Sequence, residues 1–73
     1  MNQNFKYEII IYWSKEDNRY IAEVPELPGC MSDGFTYEES LKNVEIIISE
    51  WIEIAKELGR EIPIPKCRKL AYA

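Results

Sequence analysis

Hydrophobic and polar residues alternate near the start of the chain. Between residues 5 and 13, Lys6 and Glu8 are interleaved with aromatic and β-branched residues at the odd positions, namely Phe5, Tyr7, Ile9, Ile11 and Trp13. This alternation predicts a β-strand over 5–13 whose odd-numbered side chains face a core. Ile10 and Tyr12 make the other face apolar in its second half, so we expect another surface to cover that face.

The next segment predicts a hairpin. The polar run SKEDN at 14–18 is typical of a turn. Residues 19–24 alternate again, with an apolar face made of Tyr20, Ala22 and Val24. A second strand that follows so short a connection predicts an antiparallel pair with the first.

The stretch EVPELPGCMSDGFTYEES, residues 23–40, combines strand, turn and helix-start signals. A proline lacks a backbone donor and ends the second strand, and Pro-Gly predicts a turn in which the glycine has a positive φ. We expect the leucine between the prolines to fold inward, and residues 30–35 to form a short third strand. A second glycine allows this strand to bend into a helix. Each special residue therefore has a structural role, and the motif comprises Pro25, Leu27, Pro28, Gly29, Cys30, Gly34 and Thr36.

A helical repeat replaces the alternation after Thr36. Thr36 and Glu39 have the spacing of a capping box, and Gly59 is a common helix stop. Between them, apolar residues recur at three- and four-residue steps, namely Tyr37, Leu41, Val44, Ile48, Trp51, Ile52, Ala55 and Leu58. We therefore expect a helix over 37–58 and a final edge strand over 68–73. The predicted fold is α+β with the order β-β-β-α-β, an antiparallel sheet with one long helix packed on it.

The predicted helix is longer and more apolar than a small monomer requires. At 1.5 Å per residue it spans about 33 Å, whereas a compact chain of this length measures about 30 Å across. Ile47 and Ile54 widen the apolar stripe, and Ile46 lies off it. We interpret these three residues as the interface of a homo-oligomer, a dimer or higher. A generous monomer core with one stray isoleucine is the alternative.

The composition limits the possible functions. Seventy-three residues, of which 47% are hydrophobic and 30% charged, predict one folded domain over 1–73. The polar N-terminus and the lack of an apolar run of about 20 residues predict a cytoplasmic protein without a membrane partner. Thirteen acids against nine bases give a net charge of −4. This charge disfavours direct nucleic-acid binding and favours a basic protein partner.

The sequence offers little for catalysis. It contains no histidine, which is the usual general base at neutral pH and a common zinc ligand. We expect Cys30 and Cys67 to be reduced thiols, and we predict no cofactor, no metal and no catalytic residue. The enzymatic alternative is a nuclease that holds Mg²⁺ through Glu23 and Asp33. It is disfavoured because Glu23 lies on the strand face opposite the apolar one.

Several motifs together resemble one family. YIAEVPELPGC at 20–30, DGFT at 33–36, a glutamate-rich helix start and the late pairing of Gly59 with Ile62-Pro63 and Pro65 resemble the HicB family of antitoxins. The resemblance covers residues 7–65. It implies a partial ribonuclease H-like fold and inhibition of HicA, a small basic ribonuclease that cleaves mRNA. Many HicB proteins carry a C-terminal DNA-binding segment, and we do not expect a separate DNA-binding domain in this chain.

The leading hypothesis is therefore the antitoxin of a type II toxin–antitoxin system that binds and occludes a HicA-like ribonuclease toxin. The candidate toxin contacts are acids expected on the surface, namely Glu16, Asp17, Glu26, Glu38 and Glu39. The alternative is an orphan HicB-like oligomeric domain with a regulatory or structural role and no toxin partner. The metal-dependent nuclease is the least favoured hypothesis.

Overall fold

Three strands and one helix make up the fold in the computed structural model, which describes residues 6–65. Strands β1 (Ile10–Ser14), β2 (Arg19–Glu23) and β3 (Met31–Gly34) are followed by helix α1 (Tyr37–Leu58). The strands form an antiparallel sheet in the order β1-β2-β3. The α+β class and the order β-β-β-α are thus confirmed. The predicted final strand, 68–73, lies outside the described residues.

The first strand begins later than the alternation predicted. Its pairing with β2 runs from Ile10 opposite Glu23 to Ser14 opposite Arg19, and residues 6–9 precede it without strand structure. Tyr7 is instead buried, and its hydroxyl donates to the carbonyl oxygen of Pro63. This hydrogen bond connects the segment before β1 with the segment after α1. Because the two residues are far apart in the sequence, a local pattern does not reveal their contact.

The core lies between one face of the sheet and α1. Ala22 on β2 is directly opposite Ile11 on β1, and both belong to this inner face. The buried cluster comprises Tyr7, Ala22, Val24, Leu27, Cys30, Val44 and Ile48. Burying such apolar surface is the main favourable term in folding. Within residues 6–65, no helix combines the length and the apolar character that a membrane crossing requires.

The connector between β2 and β3 consists of two consecutive β-turns. The Leu27 amide donates to the Val24 carbonyl (3.1 Å), and the Cys30 amide donates to the Leu27 carbonyl (2.9 Å). Gly29 has a φ of 79°, the value that the third residue of a type II turn after proline requires. Leu27, at the corner that the turns share, is fully buried. The Trp51 indole donates to the Pro28 carbonyl (3.0 Å), which fastens the connector to α1.

The start of α1 is seated on β3. The Thr36 hydroxyl accepts from the Glu39 amide (3.0 Å), as predicted, and the Glu39 carboxylate accepts from the Phe35 amide. The carboxylate therefore reaches one residue beyond the N-cap amide that a standard capping box uses. Gly34 is buried beneath this turn, where an added Cβ would lie 2.6 Å from the Ser40 backbone nitrogen. The bend from β3 into the helix is therefore possible only because this position has no side chain.

Candidate partner-binding surface

The topology brings the β1–β2 turn and the start of α1 to the same end of the molecule. Ser14 and Arg19 pair at the turn end of β1 and β2. Gly34, at the end of β3 that leads into α1, pairs with Tyr20 at that same end. We call this region, made of residues 13–20 and 33–39, the hairpin–helix end. The connector between β2 and β3 lies at the opposite end.

Most of the candidate contact acids gather at the hairpin–helix end. They are exposed, and they are Glu16, Asp17, Glu38 and Glu39. Two of them also stabilise the local structure, because Asp17 accepts from the Ser14 hydroxyl (2.9 Å) and Glu39 accepts from the Phe35 amide at the start of α1. Glu16 lies in the hairpin turn and Glu38 in the first turn of α1.

The fifth candidate acid, Glu26, lies away from the hairpin–helix end, and the expectation that its side chain is fully exposed was wrong. Glu26 belongs to the connector at the opposite end, is only half exposed, and has a carboxylate oxygen that is shielded from solvent. Burial, and secondarily the charge of Glu26, raises the pKa of the Tyr7 phenol. One oxygen of this carboxylate thus faces the inside of its own domain, next in sequence to the buried Leu27 at the corner that the two turns share.

Two aromatic residues that the patterns placed in the core are exposed at the hairpin–helix end. The relative exposure is 48% for Trp13 and 58% for Tyr37. Tyr20 lies between them, with ring centroids 4.9 Å from Trp13 and 4.4 Å from Tyr37. Trp13 does lie on the inner face, opposite Tyr20, but α1 packs mainly on β3 and β2 and leaves the end of β1 uncovered. The only sequence signal for this exposure was that Trp13 and Tyr37 stand at the ends of their predicted elements.

Phe35 and Arg19 form a second exposed contact at this end. The Arg19 guanidinium lies 4.3 Å from the centroid of the Phe35 ring and 3.7 Å from the Asp33 carboxylate. Both charged side chains are about half exposed, so the ion pair contributes little to stability. The arrangement instead holds the Arg19 side chain of β2 against the adjacent strand β3 and the loop that follows it.

The isoleucines of the expected oligomer interface fall into two environments. Ile46 and Ile54 are exposed, as an interface residue of an isolated chain must be. Ile47 is half-buried and packs against the core of its own chain, so part of its apolar surface is already buried in the monomer.

A further apolar surface, on the sheet face away from α1, exposes Ile10, Tyr12 and Met31. The described residues do not supply the cover that we expected for this face.

The carboxylates of the nuclease alternative lie on the outer sheet face. Asp33 is opposite Ile21, and Glu23 is opposite Met31, so both point away from α1. Asp33 is paired with Arg19. Among residues 6–65, no three His, Cys, Asp or Glu side chains converge as metal ligands would.

Cys30 is buried, and this burial raises the pKa of its thiol. The expected reduced state of Cys30 and Cys67 stays a prediction, since Cys67 lies outside the described residues.

Comparison with known proteins identifies the family. Residues 7–72 match the family described as the HicB-like antitoxin of bacterial toxin–antitoxin systems. A UPF0150 protein of Thermoplasma acidophilum is 41% identical over 58 residues, which cover 80% of this chain and 83% of that protein. A UPF0150 protein of Synechocystis is 37% identical over 78% of this chain and 77% of its own length. No solved structure matches significantly. With the fold and the matched residues in agreement, the chain belongs to the HicB-like antitoxin family.

Proposed function

We propose that this protein neutralises a small, basic, HicA-like mRNA-cleaving ribonuclease in the cytoplasm by binding it and covering its active site. The family supports an antitoxin role in general. The observation that supports a basic partner at this end is the combination of four exposed acids with exposed aromatic rings. Four further exposed acids, Glu50, Glu53, Glu57 and Glu61, lie on the second half of α1 and after it, without exposed rings beside them. Protein interfaces use exposed aromatic residues as anchors and complementary charge for steering.

The mechanism that we propose is steric. The hairpin–helix end, formed by a tight turn and a capped helix start, is held by local hydrogen bonds and meets the toxin with little rearrangement. A partner bound there prevents mRNA from reaching the catalytic groups of the toxin. Charge complementarity between the acids and a basic toxin surface mainly accelerates association.

The direct test combines this chain with a HicA-like ribonuclease encoded beside its gene. We expect co-expression to relieve growth arrest, the two proteins to co-purify, and the purified complex not to cleave mRNA. Growth arrest that persists on co-expression, or the absence of a complex, would contradict the proposal and favour the orphan alternative.

A charge-reversal pair tests the role of the hairpin–helix end. Glu16→Lys with Glu38→Lys should lower the association rate constant about tenfold at low salt, and the difference should shrink as salt increases. Glu57→Lys with Glu61→Lys makes the same change in net charge at exposed positions near and just after the end of α1, about 28 Å from Glu38. Equal effects of the two pairs would mean that net charge alone, and not this end, steers association.

We further propose that the protein forms a homo-oligomer. The exposure of Ile46 and Ile54 on α1 supports this proposal, because large apolar side chains on a helix surface often mark an interface. The hairpin–helix end is formed by other residues, so an oligomer built through these isoleucines leaves that end accessible to a toxin.

A further inference from the structure

A continuous row of three aromatic rings crosses the hairpin–helix end. Tyr20 is at its centre, edge-to-face with Trp13 (interplanar angle 69°) and tilted by 34° against Tyr37. Both centroid distances, 4.9 Å and 4.4 Å, lie near the close end of the range for favourable ring pairs. The rings hold one another in position, while the two outer rings leave about half of their surface in solvent. We call these residues the aromatic row.

The aromatic row is separate from the core. None of its three members belongs to the buried cluster between the sheet and α1. Exposed Trp and Tyr residues are enriched among the energetic centres of protein interfaces, because they bury a large area with few rotatable bonds. A rigid row of such residues outside the core is therefore suited to binding.

The charges around the aromatic row indicate its ligand. The negative face of an aromatic ring attracts cations, and the attraction increases when the site is removed from water. Glu16 and Glu38 are exposed at the same end, where five acids outnumber the two bases Lys15 and Arg19. Among the described residues, the cation that stacks on a ring is Arg19, which lies over Phe35 and is also paired with Asp33. Within residues 6–65, the row itself therefore offers ring surface in a negative field without a stacked cation.

We propose that the aromatic row is the anchor site for a cationic side chain, an arginine or lysine, of a basic protein partner. Glu16 and Glu38 supply the surrounding negative charge. Where that partner is the toxin, the inference rests on the function proposed above. A nucleic acid is a poor occupant because its phosphates are repelled by these acids. A second copy of this chain is also poor, since it would bring like charges together.

The first experiment measures toxin affinity in ring variants. Tyr37→Leu and Trp13→Leu, which keep apolar bulk but remove the rings, should each weaken binding of the HicA-like ribonuclease about tenfold. Tyr37→Phe should stay within about threefold of the native chain. Tyr12→Leu is the matched control, because Tyr12 is a similarly exposed ring on the opposite face of β1. A native thermal midpoint in Tyr37→Leu shows that the loss is not unfolding. Unchanged affinity in both Leu variants would overturn the inference.

The second experiment does not depend on the toxin. A capped tetra-arginine peptide is titrated into the native protein, and the indole N–H signals of Trp13 and Trp51 are followed by NMR. We expect a saturable shift of Trp13 and a several-fold smaller one with a tetra-citrulline peptide, which has a similar shape without charge. Equal shifts with both peptides, or none at Trp13, would overturn the anchor even if the toxin binds. A saturable arginine-specific shift without any toxin complex would support the anchor and contradict the proposed function.

Discussion

Replacing Gly34 by alanine should destabilise the protein strongly, and the structure explains why. The added Cβ would lie 2.6 Å from the Ser40 nitrogen and 2.9 Å from the carbonyl carbon of Glu39. Ordinary contacts between such atoms are about 3.5 Å, so the start of α1 must move by about 0.6–0.9 Å. The atoms in the way belong to helix backbone, which cannot rotate aside as a flexible side chain could.

The expected loss combines two effects. Overpacking at a filled site costs about 1–3 kcal/mol. The displacement also disturbs the hydrogen bond between Thr36 and the Glu39 amide, and a lost N-cap costs about 1 kcal/mol. The sum is about 2–4 kcal/mol, against a total free energy of unfolding of about 4–11 kcal/mol for a chain of this length. With an m-value of about 1 kcal/mol per molar urea, the midpoint of denaturation should fall by about 2 M or more.

A comparison with Gly29 separates the two reasons why a position requires glycine, namely a positive φ and the lack of space for a side chain. Gly29 has a φ of 79° and open space around its Cβ position, so asparagine, which tolerates the left-handed region, should be milder than alanine there. At Gly34, where the restriction is steric, asparagine should be at least as harmful as alanine. Urea titrations of the four variants, followed by circular dichroism, test this ordering. A Gly34→Ala midpoint within about 0.5 M of the native one would refute the reasoning, since it corresponds to about 0.5 kcal/mol.

Further predictions concern stability, assembly, reactivity and catalysis. Gly29→Val should lower the free energy of unfolding by about 1–3 kcal/mol, because a β-branched residue is strained at positive φ; an unchanged denaturation midpoint would contradict the turn assignment. Ile54→Glu should dissociate the proposed oligomer in light scattering, and a monomeric native chain at micromolar concentration would refute that proposal. Cys30 should react slowly with iodoacetamide at pH 8 until urea is added, because it is 2% exposed and burial raises its thiol pKa; rapid labelling by mass spectrometry would show the opposite. We expect no RNA cleavage with Mg²⁺, whereas cleavage that disappears in Glu23→Ala or Asp33→Ala would revive the nuclease alternative.

Elements and turns could be predicted from the sequence because short-range interactions specify them. The helix runs from Tyr37 to Leu58, as the capping box, the apolar repeat and Gly59 predicted. The positive φ of Gly29 follows from the Pro-Gly turn. Each of these features depends on residues only a few positions apart, whose backbone preferences and hydrogen bonds act in any surrounding fold.

The candidate site could be predicted only in part. The acids of the hairpin–helix end were visible as surface candidates, but their gathering depends on the register that brings Gly34 opposite Tyr20. Periodicity identifies which face of an element is apolar, and it correctly assigned Trp13 to the inner face. It does not tell how far the helix extends over that face, and so it could not predict that Trp13 and Tyr37 remain exposed.

Tertiary packing decided these points. Because Gly34 has no side chain, α1 begins directly on β3 and packs mainly on β3 and β2, leaving the end of β1 uncovered. The same long-range packing turns Glu26 inward and joins Tyr7 to Pro63. The sequence by itself therefore determined the order of β1, β2, β3 and α1, the bounds of the helix, the turn chemistry and the acidic charge. The position of the helix on the sheet, which decides whether an apolar residue belongs to the core or to a binding surface, depends on contacts between residues far apart in the chain.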